Sequence, residues 1–163
     1  MHAKDAIKSS MHMGLFVLET YLSDLDDADL MVRPAQGCNH LAWQLGHLIS
    51  SESGLIDMAR PGEGGQLPAG FREAHAKGNA GSDDPAQFRT KQEYIDLYRA
   101  VRAQTVAALA RMTDDDLAAP GPEAFRNVFP TMLDLMNLIA THPLMHAGQF
   151  VVVRRLLGKP VLI

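Results

Sequence analysis

Two histidines, His142 and His146, stand four residues apart in the run from Thr131 to Leu157, TMLDLMNLIATHPLMHAGQFVVVRRLL. At about 100° per residue in a helix, their side chains project within about 40° of each other on adjacent turns. Two imidazoles so placed can offer ring nitrogens to one cation at about 2.0–2.1 Å, which is how a helix presents a pair of metal ligands. The pair follows the apolar stripe of Leu135, Ile139, Phe150 and Val153, and burying two neighbouring imidazoles is costly unless each finds a partner. A shared cation satisfies both at once. Hydrogen bonds to separate core partners are the competing reading.

Two ligands are an incomplete site, since catalytic zinc and similar ions take about three protein ligands and keep a position open. By residue type the candidates for the third are His12, His40, His47 and Glu52. Glu52 falls in the centre of an apolar stripe of Leu41, Leu45, Leu48, Ile49, Leu55 and Ile56, where a carboxylate needs a partner. His47 lies off that stripe, on the side of Trp43 and His40, and the wheel alone reads it as a surface or second-interface histidine. Between the paired histidines sits Pro143, which removes one backbone hydrogen bond and crowds the Ile139 carbonyl, at roughly 3 kcal/mol. Either the loosened turn aims the two rings, or the helix bends or restarts with Thr141 as its N-cap.

Several other chemistries lack their residues. Di-iron carboxylate bundles need Glu-x-x-His on two helices, and no Glu-x-x-His occurs. The zinc-protease motif His-Glu-x-x-His is also missing, as is a glycine-rich phosphate cradle ahead of a helix. Cys38 is the sole cysteine, which excludes an intrachain disulfide and agrees with a reducing compartment. The net charge of -4, with 15 scattered Lys and Arg, gives no basic footprint for nucleic acid. No apolar run approaches the 18–20 residues of a membrane span, and MHAKDAIKSS is not a signal peptide. A cytoplasmic protein is expected.

The elements that must position these residues are helical. Ile7, Met11, Leu15, Leu18, Leu22 and Leu25 predict helix one over Ala6–Leu25. Asp24, Asp26, Asp27 and Asp29 read as its solvated end. Helix two, capped by Asn39, runs up to Pro61; helix three covers Thr90–Met112; helix four is the opening run. Pro61–Pro85 is rich in glycine and proline, long for a loop in a compact domain, and reads as a lid or a mobile segment with His75 exposed to solvent. No strand pattern occurs. The expected fold is all-α, residues 1–163 forming one four-helix-bundle domain with a long loop between helices two and three. A second apolar row on helix four, Leu133, Ala140, Leu144, Ala147 and Val151, makes that helix either the most central one or one face of a homodimer.

NHLAWQLGHLISSE, followed about a hundred residues later by THPLMHAGQFVVVRRLLGKP, resembles the DinB-like superfamily of metal-dependent enzymes. Its members are four-helix bundles with a histidine on the second helix and His-x-x-x-His-x-Gly-Gln on the fourth. The likeness spans essentially the whole chain, and HAGQ…RRLLGKP is its most specific part. It implies His47, His142 and His146 as the metal triad for a divalent ion, Zn²⁺, Ni²⁺ or Fe²⁺, with Glu52 in a supporting role behind the ligands. Pro143 is less usual for the family. The resemblance implies an enzyme acting on a small molecule, either a low-molecular-weight-thiol S-transferase with the thiol as cosubstrate or a metal-dependent hydrolase. A non-catalytic metal- or ligand-binding dimer with a stress-related role is the alternative.

Overall fold

A threonine followed three residues later by an acid starts three of the helices: Thr90 with Glu93, Thr113 with Asp116 and Thr131 with Asp134 each close a reciprocal capping box. The computed structural model describes residues 2–163. Six α-helices occur in them: α1 Ala3–Leu22, α2 Leu41–Ala59, α3 Phe71–Ala74, α4 Lys91–Arg111, α5 Asp114–Ala118 and α6 Met132–Leu156. Among the described residues there is no strand, only an isolated antiparallel bridge between Pro120 and Thr131. The four long helices are those expected, with α1 ending three residues early at Leu22.

α1 packs mainly on α6 and α4, and α2 on α4 and α6, so α1 and α2 face each other across the bundle diagonal. Directions follow from the contacts. Arg154 near the end of α6 donates to Tyr21 O at 2.7 Å near the end of α1, which makes that pair parallel. Leu45 and Leu48 of α2 share a cluster with Tyr94, and Leu55 and Ile56 share the other with Ala108 and Leu109, so α2 and α4 are parallel too. Arg99 to Glu19 at 2.6 Å and Lys4 to the Met112 carbonyl at 2.7 Å set α4 antiparallel to α1. The path is up, down, down, up.

Parallel neighbours require a return segment, and this is the physical reason for the long connection after α2. A helix of 19 residues spans about 28 Å at 1.5 Å per residue, and residues 60–90 carry the chain back over that distance. The segment is not bare. It holds α3 and two single 3₁₀ turns, Lys77–Asn79 and Pro85–Gln87, and it docks through Phe71 and His75, which are 1% and 3% exposed. The expectation of a solvent-exposed His75 was wrong: its Nδ1–H donates to the Phe71 carbonyl at 2.7 Å, and the Tyr94 hydroxyl donates to Nε2 at 2.7 Å. The ring lies against Gly46, where a Cβ would come within 1.9 Å of His75 Cδ2.

Two further expectations change. Asp24 is no idle solvated end, since it receives Arg154 Nη1 at 2.5 Å. The cap of α2 is His40, not Asn39: its Nδ1 accepts from Trp43 N at 3.1 Å while Nε2–H donates to Ser82 O at 3.0 Å. α6 is continuous from Met132 to Leu156 with Pro143 inside it, so no restart occurs at Thr141. Its second apolar row is partly used within the chain, since Ala140 and Ala147 are buried and Pro143 abuts Gly14 of α1. No helix of the described residues is long and apolar enough to cross a membrane.

Candidate metal centre

α2 is buried on more than one side, by α4, by α6 and by the returning segment. That is why a single-stripe wheel misplaces His47. Its ring sits in the seam between α2 and α6, with centroids 5.3 Å from His142 and 5.4 Å from His146, while those two are 4.9 Å apart. One ring nitrogen from each of the three can be chosen so that all lie within 4.8 Å of one another. Ligands at 2.0–2.1 Å from one ion stand at most about 4.2 Å apart, so the set is near single-ion spacing. The other candidates are elsewhere. His12 is exposed on α1, His40 is spent as a cap, and Glu52 lies in the core.

Two of the imidazoles, His146 and His47, are held by neighbouring side chains. Gln44, fully buried, donates its amide N–H to the Asn39 carbonyl at 2.8 Å, which turns Oε1 toward His146 Nδ1 at 2.9 Å. An amide oxygen only accepts, so Nδ1 carries the proton and Nε2 keeps its lone pair for a ligand. Trp43 stacks on His47 at 5.0 Å with planes 5° apart, and its indole N–H donates to the Ala76 carbonyl at 3.3 Å. Neither Gln44 nor Trp43 was singled out from the sequence as part of the site. The available signals were an amide in the middle of an apolar run, and a tryptophan four residues before His47.

Electrostatics keep the cluster uncharged. Burial pulls the His142 and His146 imidazoles down from the ordinary 6.5 to about 4, with the neighbouring histidines adding to the effect. His47 is lowered by burial and then by the Lys77 charge. At neutral pH all three are therefore free bases, the state in which imidazole binds metal.

Glu52 and Arg102 pair at 2.7 Å with both side chains 3% exposed. Burial raises the Glu52 carboxyl and Arg102 opposes the rise. The pair does not touch the histidines, so Glu52 is not a ligand. Its partner does something the sequence left open. Pro143 cannot donate to the Ile139 carbonyl, and Arg102 Nη2 reaches that oxygen at 3.4 Å, one turn ahead of His142. The most specific stretch of the sequence likeness also has a structural use. Arg154, fully buried, donates to Tyr21 O, Asp24 and Pro160 O, and Lys159 donates to the Asp24 carbonyl at 2.5 Å. RRLLGKP clamps the ends of α1 and α6.

Residues 17–150 match the family model of the DinB superfamily. Among solved structures the chain is similar to YfiT from Bacillus subtilis, described as a probable metal-dependent hydrolase with an unusual four-helix bundle topology. The identity is 16%, the TM-score is 0.66, and the match covers 96% of this chain and 89% of that one. No curated protein matches the chain by sequence.

Proposed function

The chain belongs to the DinB superfamily, and on that premise we propose that it is a metal-dependent enzyme whose His47, His142 and His146 hold one divalent ion. The observation that carries the reading is the convergence of three neutral imidazoles from α2 and α6, with ligand atoms within 4.8 Å of one another, two of them, His47 and His142, on the wall of an open cavity of about 490 Å³. An isolated trio of partly buried bases would be costly with no common partner. A divalent ion there would supply Lewis acidity and would lower the pKa of a water or thiol toward neutrality. The donor set admits Zn²⁺, Ni²⁺ or Fe²⁺.

The residues' own parts follow from the geometry. Gln44 fixes the tautomer of His146, Trp43 holds the plane of His47, and the cavity beside His47 and His142 receives a small-molecule substrate. Hydrolysis is the first reaction class, because YfiT is described as a probable metal-dependent hydrolase. Transfer of a low-molecular-weight thiol would use the same three ligands and is the second.

Elemental analysis of purified protein should give about one divalent ion per chain in the wild type and a marked loss in His142→Ala. Assays of ester and amide hydrolysis, and of thiol addition to electrophiles, then separate the classes. Turnover undiminished in His142→Ala would overturn the metal reading. Metal binding with no turnover across that panel would favour the non-catalytic binding module instead.

Dimerisation keeps a narrower basis, because Ala140 and Ala147 are covered within the chain. Leu144, Met145 and Val152 of α6 and Met13 and Phe16 of α1 remain exposed, and association of two copies through such side chains is the proposal. Sedimentation of wild type against Phe16→Glu tests it, a monomer in both overturning it.

A further inference from the structure

The cavity that His47 and His142 open into is chemically one-sided. Phe125 and Phe129 reach it from the connection before α6, Leu55 and Met58 from α2, and Leu138 and Met145 from α6. Among the described residues its lining holds no carboxylate, and its one basic side chain besides the histidines is Lys77. The volume of about 490 Å³ lies within the range of small-ligand pockets, which are apolar with few placed polar groups.

Lys77 is placed by the fold. It follows Ala76, whose carbonyl is tied to the indole of Trp43, and Trp43 in turn stacks on His47. The Lys77 backbone is thus anchored beside the histidines, while its side chain is exposed and lines the cavity, near enough for its charge to be felt at His47. Among the described residues no carboxylate comes within ion-pair reach of the Lys77 ammonium. The Ser50 hydroxyl, on the same lining, is buried without a hydrogen-bond partner. Three neutral imidazoles would leave the charge of a bound dication uncancelled by the protein. A cation at the rim of apolar walls focuses a positive field into the space between them.

We propose that this cavity binds a small amphipathic anion, an apolar or aromatic body lying against Phe125, Phe129 and Leu138 with its carboxylate-type head held by Lys77 beside the histidines. That such a molecule is the substrate rests on the metal reading above; its binding does not. The charge pattern selects against cations and gives neutral analogues only the apolar part of the interaction.

Titration calorimetry with 4-phenylbutyrate, 4-phenylbutanamide and 4-phenylbutylamine tests it, on chelator-treated and on zinc-loaded protein. The carboxylate should bind metal-free wild type about fivefold more tightly than the amide, the amine weakest, and Lys77→Met should remove that preference while leaving amide binding unchanged. Zinc loading should widen the preference. Equal binding of the three, no binding of any, or a preference that survives Lys77→Met would overturn the proposal. Zinc titrations of wild type and His142→Ala report the metal reading separately. A Lys77-dependent preference in protein that takes up no zinc would sink that reading and leave the anion site standing.

Discussion

At the scale of single residues, the cluster depends on which nitrogen of each ring is free. Gln44 is clamped by Asn39 and accepts from His146 Nδ1, so Gln44→Leu removes the acceptor without touching a ligand. Losing such a partner typically costs 10–100-fold in metal affinity, and a chelator competition assay should find a loss of about that size with the unfolding midpoint little changed; unaltered affinity would show that His146 needs no orientation. The depressed imidazoles also make the metal-free protein acid-sensitive. His142 and His146 titrate near 4 when folded but at about 6.5 when unfolded, so the unfolded chain binds protons first as the pH falls. Their contribution to stability is complete above pH 6.5 and is lost as the pH drops from 6.5 to about 4. Denaturation at pH 7.5 and 4.5 should therefore show a larger drop for wild type than for His142→Asn/His146→Asn, and equal drops would contradict the neutral, buried cluster. His142 and His146 were legible from their spacing alone. Gln44 was not, because a buried amide declares itself only once its neighbours are known.

At the scale of elements, α6 carries a proline in its middle and stays continuous because other elements compensate. Pro143 fits against Gly14 of α1, where a Cβ would come within 2.9 Å of Pro143 Cγ, and the carbonyl it leaves unpaired accepts from Arg102 of α4. Arg102 is in turn balanced by Glu52 of α2, so one guanidinium links three helices a turn from His142. Arg102→Met should cost about 3–5 kcal/mol, mainly by leaving Glu52 buried without its partner. In a Pro143→Ala background the cost should be about 1 kcal/mol smaller, since the alanine N–H takes over the Ile139 carbonyl. Strict additivity in a urea-denaturation cycle would show that the Arg102 bond to that carbonyl is idle. The four long helices were readable because their apolar residues recur at helical spacing, and two of them, α4 and α6, open on threonine caps. His47 was unreadable by the same rule, because α2 has neighbours on several sides and a lone stripe no longer marks its inside. The family likeness, not the periodicity, selected that residue.

At the scale of the whole molecule, two parallel neighbours force residues 60–90 to travel back along the bundle, and that return also builds the site. It brings Ala76 to Trp43 and Lys77 to the cavity, and it is pinned by His75 between Tyr94 and Gly46. None of this has a period, which is why the segment read as a lid or loose loop. The pin predicts opposite outcomes for one substitution at two glycines of α2. At Gly46 a Cβ would overlap the His75 ring at 1.9 Å, whereas at Gly54 it would meet only the flexible end of Arg72 at 3.4 Å. Gly46→Ala should thus destabilise by about 1–3 kcal/mol through overpacking, expose residues 60–90 to trypsin, and weaken zinc uptake through the adjoining His47. Gly54→Ala should be neutral or stabilise by up to about 1 kcal/mol, the gain in helix propensity. Urea midpoints and cleavage patterns of the two variants decide the matter: if Gly46→Ala were as stable and as protease-resistant as Gly54→Ala, the returning segment would not be what holds α2 and its histidine in register with α6.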